Sequence, residues 1–464
     1  MGRRTIALAL LGLLLLPAVA SAHAVFSDAG PRPGAVLPGP PASVRVLFDA
    51  PVEQALLELV VRDGTGAVRS AAPVRDPNDD DAVVAAIESG RPGRWTVRWR
   101  VFSGDGHPGK GSFAFAVHSV LRPAPVVAQD LDDHRPLEVA GRFLAIAGLL
   151  GLLGLAVLRA WVVGPAWRSG GPRPPGSRDE AEVREAAAEA LRGAALRWWR
   201  GWWALSAAAA AGLVLWLAGQ ARALGIGAGD LGTLLGDTRW GKAWIVQAVM
   251  LAVATVTALA LARSPRRDDP DLGAGWGAAL AVPPAVAACA LSWSGHASST
   301  ADSTLNIGLD AIHSVATGVW LGGLAGLIAL VPAARRALAP EHGVRLGAAV
   351  VVRFSALAIT CVGLLVVTGV YRALVELSSF SDLVDTGYGR ALLVKLAIFV
   401  VLLAGGAYNR LLLHPRLERA ALGLAPDDRG AGAALRTSVT AELVLAGALL
   451  VAVAVLISLP PPTG

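Results

Sequence analysis

Two histidines and an aspartate lie around a short polar turn between two long apolar runs, within residues 293–323. His296 precedes the turn. Asp310 and His313 follow it and are three residues apart, so the carboxylate and the imidazole share one helical face. Titratable groups at membrane depth are costly, and they usually line a cavity, a pair or a path. We therefore predict a metal-accepting site formed by His296, Asp310 and His313.

A second set of metal-binding groups is predicted at the N-terminus. Residues 1–22 have the pattern of a secretory signal peptide, with Arg3 and Arg4 before an apolar run and small residues at 20–22. Cleavage after residue 22 makes His23 the mature N-terminus, where its α-amine and its imidazole can bind the same metal ion. His23 is therefore a candidate ligand outside the cytoplasm.

A third group of candidate ligands interrupts a strand-like pattern. Asp105 and His107 are two residues apart on a glycine-rich bend, SGDGHP, at residues 103–108. A carboxylate and an imidazole can converge there on one ion, although the same residues are common in ordinary turns. Together with the amine and imidazole of His23, they supply the nitrogen and oxygen donors that suit tetragonal Cu(II).

The composition places most of the chain in a membrane. Of its 464 residues, 54% are hydrophobic and 16% are charged, and the mean hydropathy of +0.55 lies outside the range of soluble globular proteins. The net charge of +6 comes without a basic stripe interleaved with aromatic residues, which argues against nucleic-acid binding. The two cysteines, Cys289 and Cys361, lie in apolar runs and predict no disulfide framework.

The elements that position the outer ligands are predicted to be β-strands. Residues 44–49 and 95–101 alternate between apolar and polar positions, and residues 63–66 supply a hairpin turn. This pattern predicts an all-β sandwich of roughly 100 residues with an Ig-like or cupredoxin-like Greek key. We place the sandwich at residues 23–120 and a linker at residues 121–136.

The remainder, residues 137–464, is predicted to be an all-α membrane domain of about eight helices, because a span needs about 20 apolar residues. The predicted spans lie near residues 137–163, 199–221, 242–262, 274–294, 305–332, 350–372, 389–412 and 437–458. Arginines concentrate in the loops after the odd-numbered spans, which predicts that those loops are cytoplasmic and that the sandwich is extracytoplasmic. The tryptophans at positions 198, 199, 202 and 203 are interpreted as an interfacial aromatic belt.

Several of these motifs resemble those of a known family. The segment VLF at residues 46–48, the run WTVRWRVFS at 95–103, the Asp105-x-His107 pair and GSF at 111–113 look like CopC, a family of periplasmic copper-binding β-sandwiches. The membrane part resembles CopD. The resemblance implies a fusion of a CopC-like domain with a CopD-like domain, with Cu(II) bound in the outer domain through His23, Asp105 and His107.

The expected function is copper handling in a multi-pass cell membrane protein, with Cu(II) passed from the outer domain to the membrane site for import, homeostasis or resistance. The expected partners are copper ions, the lipid bilayer and other copper-homeostasis proteins. No ATP-binding motif is evident, and we expect no enzymatic activity. Two alternatives are a b-type haem oxidoreductase, with His296 and His313 as axial ligands, and a copper sensor or sequestration protein without transport.

Overall fold

The computed structural model describes residues 26–103, 106, 108–119, 123–124, 127–129, 135–170, 180–293, 303–327, 330, 338, 340–377, 379–413, 415–416, 419 and 429–456. The N-terminal part of these residues forms two β-sheets, and the rest is helical. The strands, in chain order, are β1 (Phe26–Gly30), β2 (Val36–Leu37), β3 (Ser43–Phe48), β4 (Glu58–Arg62), β5 (Val74–Asp76), β6 (Asp79–Ala86), β7 (Gly93–Phe102), β8 (Pro108–Val117) and β9 (Ala128–Gln129).

The two sheets confirm the predicted sandwich. One sheet has the order β1-β3-β6-β5, and the other has the order β2-β8-β7-β4, with β9 added to β8. The strands β7 and β8 are antiparallel and pair from Gly93 with Val117 to Phe102 with Pro108. The predicted SGDGHP bend is therefore the connection between the two longest strands of the sandwich.

The core of the sandwich is built from the apolar faces that the sequence predicts. Alternate residues of β3 are buried, as are Trp95, Val97, Trp99 and Val101 of β7. Trp99 stacks on Phe26 with ring centroids 5.4 Å apart. A Cβ atom added to Gly111 of β8 would lie 2.3 Å from Cζ2 of Trp99, so only glycine leaves room for this indole.

The predicted turn at residues 63–66 is also present, and it is organised by one buried carboxylate. Asp63 accepts hydrogen bonds from the hydroxyl of Thr65 at 2.6 Å, from the backbone N–H of Thr65 at 2.9 Å and from Nε of Arg69 at 2.9 Å. The backbone N–H of Arg91 donates to the same side chain at 3.1 Å. The turn is thereby tied to the segment before β7.

The helical part contains eight long helices among the described residues. They are α1 (Arg135–Val157), α2 (Glu180–Leu224), α3 (Arg239–Ala262), α4 (Gly273–Trp293), α5 (Ser303–Thr317), α6 (Pro340–Glu376), α7 (Gly387–Tyr408) and α8 (Arg429–Leu456). The π-helical segments Leu158–Val163, Gly318–Gly322 and Asn409–Leu413 continue α1, α5 and α7, and the short helices Leu231–Asp237 and Asp382–Asp385 precede α3 and α7.

With their helical continuations included, seven of the long helices, α1 to α7, are long and apolar enough to cross a bilayer within the described residues. The eighth, α8, contains a shorter apolar stretch at Thr440–Leu456. This agrees with the predicted multi-pass architecture. The helix α6 continues to Glu376, four residues beyond the predicted end of its span, and this extra turn carries one charged residue, Glu376.

The helix α1 lies at the centre of the bundle and packs closely on α2 and α5. A Cβ atom on Gly212 of α2 would lie 2.2 Å from the backbone nitrogen of Ala145 in α1. A Cβ atom on Gly154 of α1 would lie 2.4 Å from both the carbonyl oxygen of Gly318 and Cα of Gly322. Small residues allow such approach of helix backbones in membranes, where van der Waals contact drives association.

The interpretation of the tryptophan cluster as an interfacial belt is wrong. Trp198, Trp199 and Trp202 are buried, and the indole N–H of Trp198 donates to the carbonyl oxygen of Leu155 at 3.1 Å. The guanidinium carbon of Arg159 lies 4.5 Å from the Trp198 ring centroid. The cluster thus fills the contact between α1 and α2, because aromatic residues serve helix packing as well as membrane interfaces.

The sandwich contacts one end of the helical part. Arg100 of β7 donates to the carbonyl oxygen of Leu224, the last residue of α2, and Glu53 accepts from the backbone N–H of Arg239, the first residue of α3. Consecutive spanning helices alternate in direction. The ends of α4 and α6 and the beginnings of α5 and α7 therefore lie on the sandwich side of the bundle.

Candidate metal centre

The candidate outer site lies at the connection between β7 and β8. Its described residues are Ser103, which is buried, and Gly106. The backbone N–H of Gly106 donates to the carbonyl oxygen of Ser103 at 2.9 Å, and Gly106 has a φ of +88°, which glycine adopts without strain. The predicted ligands His23, Asp105 and His107 lie outside the described residues, so their assignment stays a prediction.

A side chain of the membrane domain reaches this connection. Nε2 of Gln220, on the last turn but one of α2, donates to the carbonyl oxygen of Gly106 at 2.8 Å. Gln220 is fully buried, and its Oε1 atom has no hydrogen-bond partner in the part of the chain that the structure describes. This residue could have been identified from the sequence, because it is a single amide near the outer end of an apolar run.

In the membrane part, His313 lies on α5 and forms a hydrogen bond with α6. Its Nδ1 atom lies 2.9 Å from Oγ1 of Thr368. The hydroxyl of Thr368 donates its own proton to the carbonyl oxygen of Leu364 at 2.7 Å, as helical threonines commonly do. Nδ1 of His313 must therefore be the donor, and in the neutral imidazole the lone pair lies on Nε2. This is the arrangement in which a histidine can bind a metal ion.

Asp310, one turn before His313, forms an ion pair with Nη1 of Arg372 on α6. Arg372 also binds Glu376, with Nε 3.1 Å from Oε1. The hydroxyl of Tyr388, at the start of α7, donates to the other oxygen of Glu376. Asp310 is thus held in a chain of charged and polar groups that joins three helices.

Lys395 of α7 is part of the same environment. It interacts electrostatically with Arg372, Glu376 and His313. Two carboxylates and two cations therefore share the sandwich side of α5, α6 and α7. The histidine and the aspartate were predicted from the sequence, whereas Thr368, Arg372 and Glu376 were not. The four-residue spacing of Arg372 and Glu376 in an apolar run could have indicated this pair.

The third predicted ligand of this site, His296, follows α4 and lies outside the described residues. In the described part of the chain, no group of three or more histidine, cysteine, aspartate or glutamate side chains could hold a metal ion. The structure therefore gives the position of two predicted ligands, Asp310 and His313, and leaves their association with His296 as a prediction.

Three family models match the chain. The CopC domain family matches residues 26–118, the N-terminal domain of copper resistance protein D-like proteins matches residues 132–305, and the copper resistance protein D family matches residues 348–456. The copper transport protein CutJ of Bacillus subtilis (strain 168) is 25% identical over 464 residues, which cover 98% of this chain and 77% of CutJ.

Solved structures of two copper proteins match about a fifth of the chain. CopC from Methylosinus trichosporium OB3b is 25% identical, with a TM-score of 0.18, over 21% of this chain and 96% of CopC. PcoC, a methionine-rich copper resistance protein from Escherichia coli, is 20% identical, with a TM-score of 0.19, over 21% of this chain and 99% of PcoC. The three family matches confirm the predicted fusion, in which a CopC domain is followed by the two domains of copper resistance protein D.

Proposed function

We propose that this protein takes up Cu(II) in its outer domain and passes copper to a site among its membrane helices, for import or copper homeostasis. The outer ligands are the α-amine and imidazole of His23, together with Asp105 and His107. The membrane ligands are His296, Asp310 and His313. The observation that carries the proposal is the hydrogen bond from His313 to Thr368, which leaves Nε2 of His313 as an electron-pair donor.

The position of His313 supports this function. It lies ten residues after the first residue of α5, which is about 15 Å along the helix at 1.5 Å per residue. That end of α5 is on the side of the bundle that contacts the sandwich. An ion released from the outer domain would therefore enter the membrane part near His313, without diffusing through bulk solvent between two separate proteins.

The charges around Asp310 bear on how copper would bind. Arg372 contacts Oδ1 of Asp310, so an arriving copper ion has to share this carboxylate with the guanidinium or bind through Oδ2. Copper adds positive charge to a region that already holds Arg372 and Lys395. We propose that Glu376, which also binds Arg372, takes over this cation when Asp310 turns toward the metal.

The orientation in the membrane is part of the proposal. Arg168 follows α1, and Arg266 and Arg267 lie between α3 and α4, at the end of the bundle opposite the sandwich. Positively charged loops favour the cytoplasmic side. We therefore propose that the sandwich, with the proposed copper site, lies outside the cytoplasm.

The membrane site is tested by measuring copper per chain in purified full-length protein and copper accumulation in expressing cells. His313→Ala should lose one bound copper and should reduce accumulation. The matched control is His118→Asn, because His118 has a φ of +47°, which asparagine tolerates, and lies directly after β8, away from the membrane helices that hold His313. Equal copper content and equal accumulation in wild type and His313→Ala would contradict transfer through this site, and a haem Soret band without bound copper would favour an oxidoreductase.

The outer site is tested separately. His23→Ala and His107→Ala should each weaken Cu(II) binding by the full-length protein more than about tenfold, because each removes a nitrogen donor of the set. N-terminal sequencing of the mature protein checks the α-amine ligand, which requires cleavage directly before His23. Unchanged Cu(II) affinity in both variants would contradict the proposed outer ligands, and it would not bear on the proposed membrane site.

A further inference from the structure

The surface between the sandwich and the membrane helices contains a buried aromatic contact. Phe102, the last residue of β7, is fully buried and belongs to the core of the membrane part. Its ring centroid lies 6.5 Å from that of Trp240 in α3, at an interplanar angle of 86°. Trp240 in turn packs on Trp216 of α2, with ring centroids 5.6 Å apart. The end of β7 is therefore inserted between α2 and α3.

The polar contacts of this surface complement the helix ends. Nη1 of Arg100 donates to the carbonyl oxygen of Leu224 at 2.7 Å, at the C-terminus of α2, where carbonyl groups lack partners within the helix. Oε1 of Glu53 accepts from the backbone N–H of Arg239 at 3.3 Å, at the N-terminus of α3. A cation at a helix C-terminus and an anion at a helix N-terminus are both favourable. The sandwich thus supplies a charge of the correct sign to each helix.

Gln220 extends this surface to the connection that carries the candidate copper ligands. Its Nε2 atom holds the carbonyl oxygen of Gly106, the residue between Asp105 and His107. Its Oε1 atom is buried and has no hydrogen-bond partner among the described residues, which is unfavourable for a polar group. A histidine that binds a metal ion through one ring nitrogen carries a proton on the other. An acceptor beside the candidate metal-binding loop can accept a hydrogen bond from that N–H group.

We propose that Gln220 is a positioning residue for the outer copper site, so that a side chain of the membrane domain sets the Cu(II) affinity of the sandwich docked upon it. This rests on the proposed outer site. Copper binding and the docking of the two domains are then linked, because a loop held in its binding conformation loses less conformational freedom when the ion arrives. Release of copper toward the membrane helices would begin with loss of the bond between Gln220 and Gly106.

The test uses full-length protein and Cu(II) as the probe, with affinity measured by competition against a chromophoric chelator. Gln220→Leu should weaken Cu(II) binding about tenfold and should change the Cu(II) electron paramagnetic resonance spectrum. The matched control is Gln247→Leu, since Gln247 is a buried glutamine of α3 whose amide atoms have no hydrogen-bond partner among the residues that the structure describes. If Gln220→Leu does not fold, Gln220→Asn shortens the side chain by one methylene and should have the same effects.

His107→Ala separates this inference from the proposed function. Loss of Cu(II) in His107→Ala, with wild-type affinity and spectrum in the Gln220 variants, would overturn the positioning role and leave the outer site intact. Retention of Cu(II) in His107→Ala would overturn the outer site itself. Weaker binding and an altered spectrum in the Gln220 variants, but not in Gln247→Leu, would support the inference.

Discussion

His313 donates its Nδ1 proton to Thr368 on the neighbouring helix, across a distance of 2.9 Å. We expect Thr368→Val to lower copper retention and copper accumulation tenfold or more, because loss of the acceptor frees the tautomer and the orientation of the imidazole. Valine keeps the shape of threonine. The control is Thr317→Val, since the hydroxyl of Thr317 donates to the backbone carbonyl of His313 and does not contact the ring. Equal losses in both variants would point to a general effect on α5.

The ion pair between Asp310 and Arg372 should contribute to stability. We expect Arg372→Gln to lower the melting temperature of the purified protein, because Asp310 and Glu376 lose their shared cation, at a cost of about 3 kcal/mol. The double variant Asp310→Asn with Arg372→Gln should recover part of the loss. Intrinsic tryptophan fluorescence during heating measures both. A double variant as unstable as Arg372→Gln would show that the pair itself has little effect.

Gly111 should be intolerant of any side chain. Gly111→Ala places a Cβ atom against Trp99, and we expect a loss of about 1–3 kcal/mol from the sandwich. Gly39→Ala is the control, because a Cβ atom there would meet its nearest neighbour, Nε2 of His118, at an ordinary 3.9 Å. Protease resistance of the sandwich in full-length protein, measured across a temperature series, distinguishes the two. Comparable resistance of both variants would mean that Trp99 can move at little cost.

The buried carboxylate of Asp63 predicts a pH dependence. The hydroxyl of Thr65, followed by the backbone N–H groups of Arg91 and Thr65 and the guanidinium of Arg69, holds the pKa of Asp63 well below its usual range. A lowered folded-state pKa stabilises the fold at pH values above the unfolded pKa of about 3.9, and the stabilisation is lost as the pH falls below that value. Asp63→Asn should therefore be less stable than wild type at neutral pH.

The same substitution should also flatten the dependence of stability on pH below about pH 4. Proteolysis of the sandwich as a function of pH measures this slope in the full-length chain. Asp28→Asn is the control, since Asp28 is half exposed and pairs only loosely, at 3.8 Å, with Arg32. A slope that is unchanged in Asp63→Asn would assign the acid sensitivity to other carboxylates.

The contact between the domains predicts a cross-link. In a background of Cys289→Ala and Cys361→Ala, cysteines placed at Glu53 and Arg239 should react with a short bismaleimide, because Glu53 contacts the backbone of Arg239. Mass spectrometry of the digested protein detects the product. Cysteines at Glu88 and Arg239 provide the control. Glu88 lies just after the last residue of β6, whereas the first residues of β6 lie beside the segment that contacts the membrane helices. Equal cross-linking of both pairs would indicate a sandwich that tumbles freely.

The sequence pattern predicted those structural features that depend on residues close together in the chain. The alternation at residues 44–49 and 95–101 gave the buried faces of β3 and β7, because side chains on a strand alternate between its two sides. The apolar runs gave the helices that cross the membrane. The pairing of Asp310 with Arg372, and of Gln220 with Gly106, joins residues 62 and 114 positions apart and depends on how the helices and the sandwich pack. The buried tryptophans of α2 were misassigned for the same reason.

The contact of Gly154 with Gly318 and Gly322 has a consequence for genetics. Gly318 lies five residues beyond His313 in the same continuous helix. The contact of the Gly318 backbone with Gly154 therefore determines how far along the bundle the imidazole of His313 lies. A methyl group at Gly154 would push α5 away from α1 and displace His313 from Thr368. A screen for copper-defective variants should therefore recover substitutions at a glycine that carries no ligand and lies in the middle of the bundle.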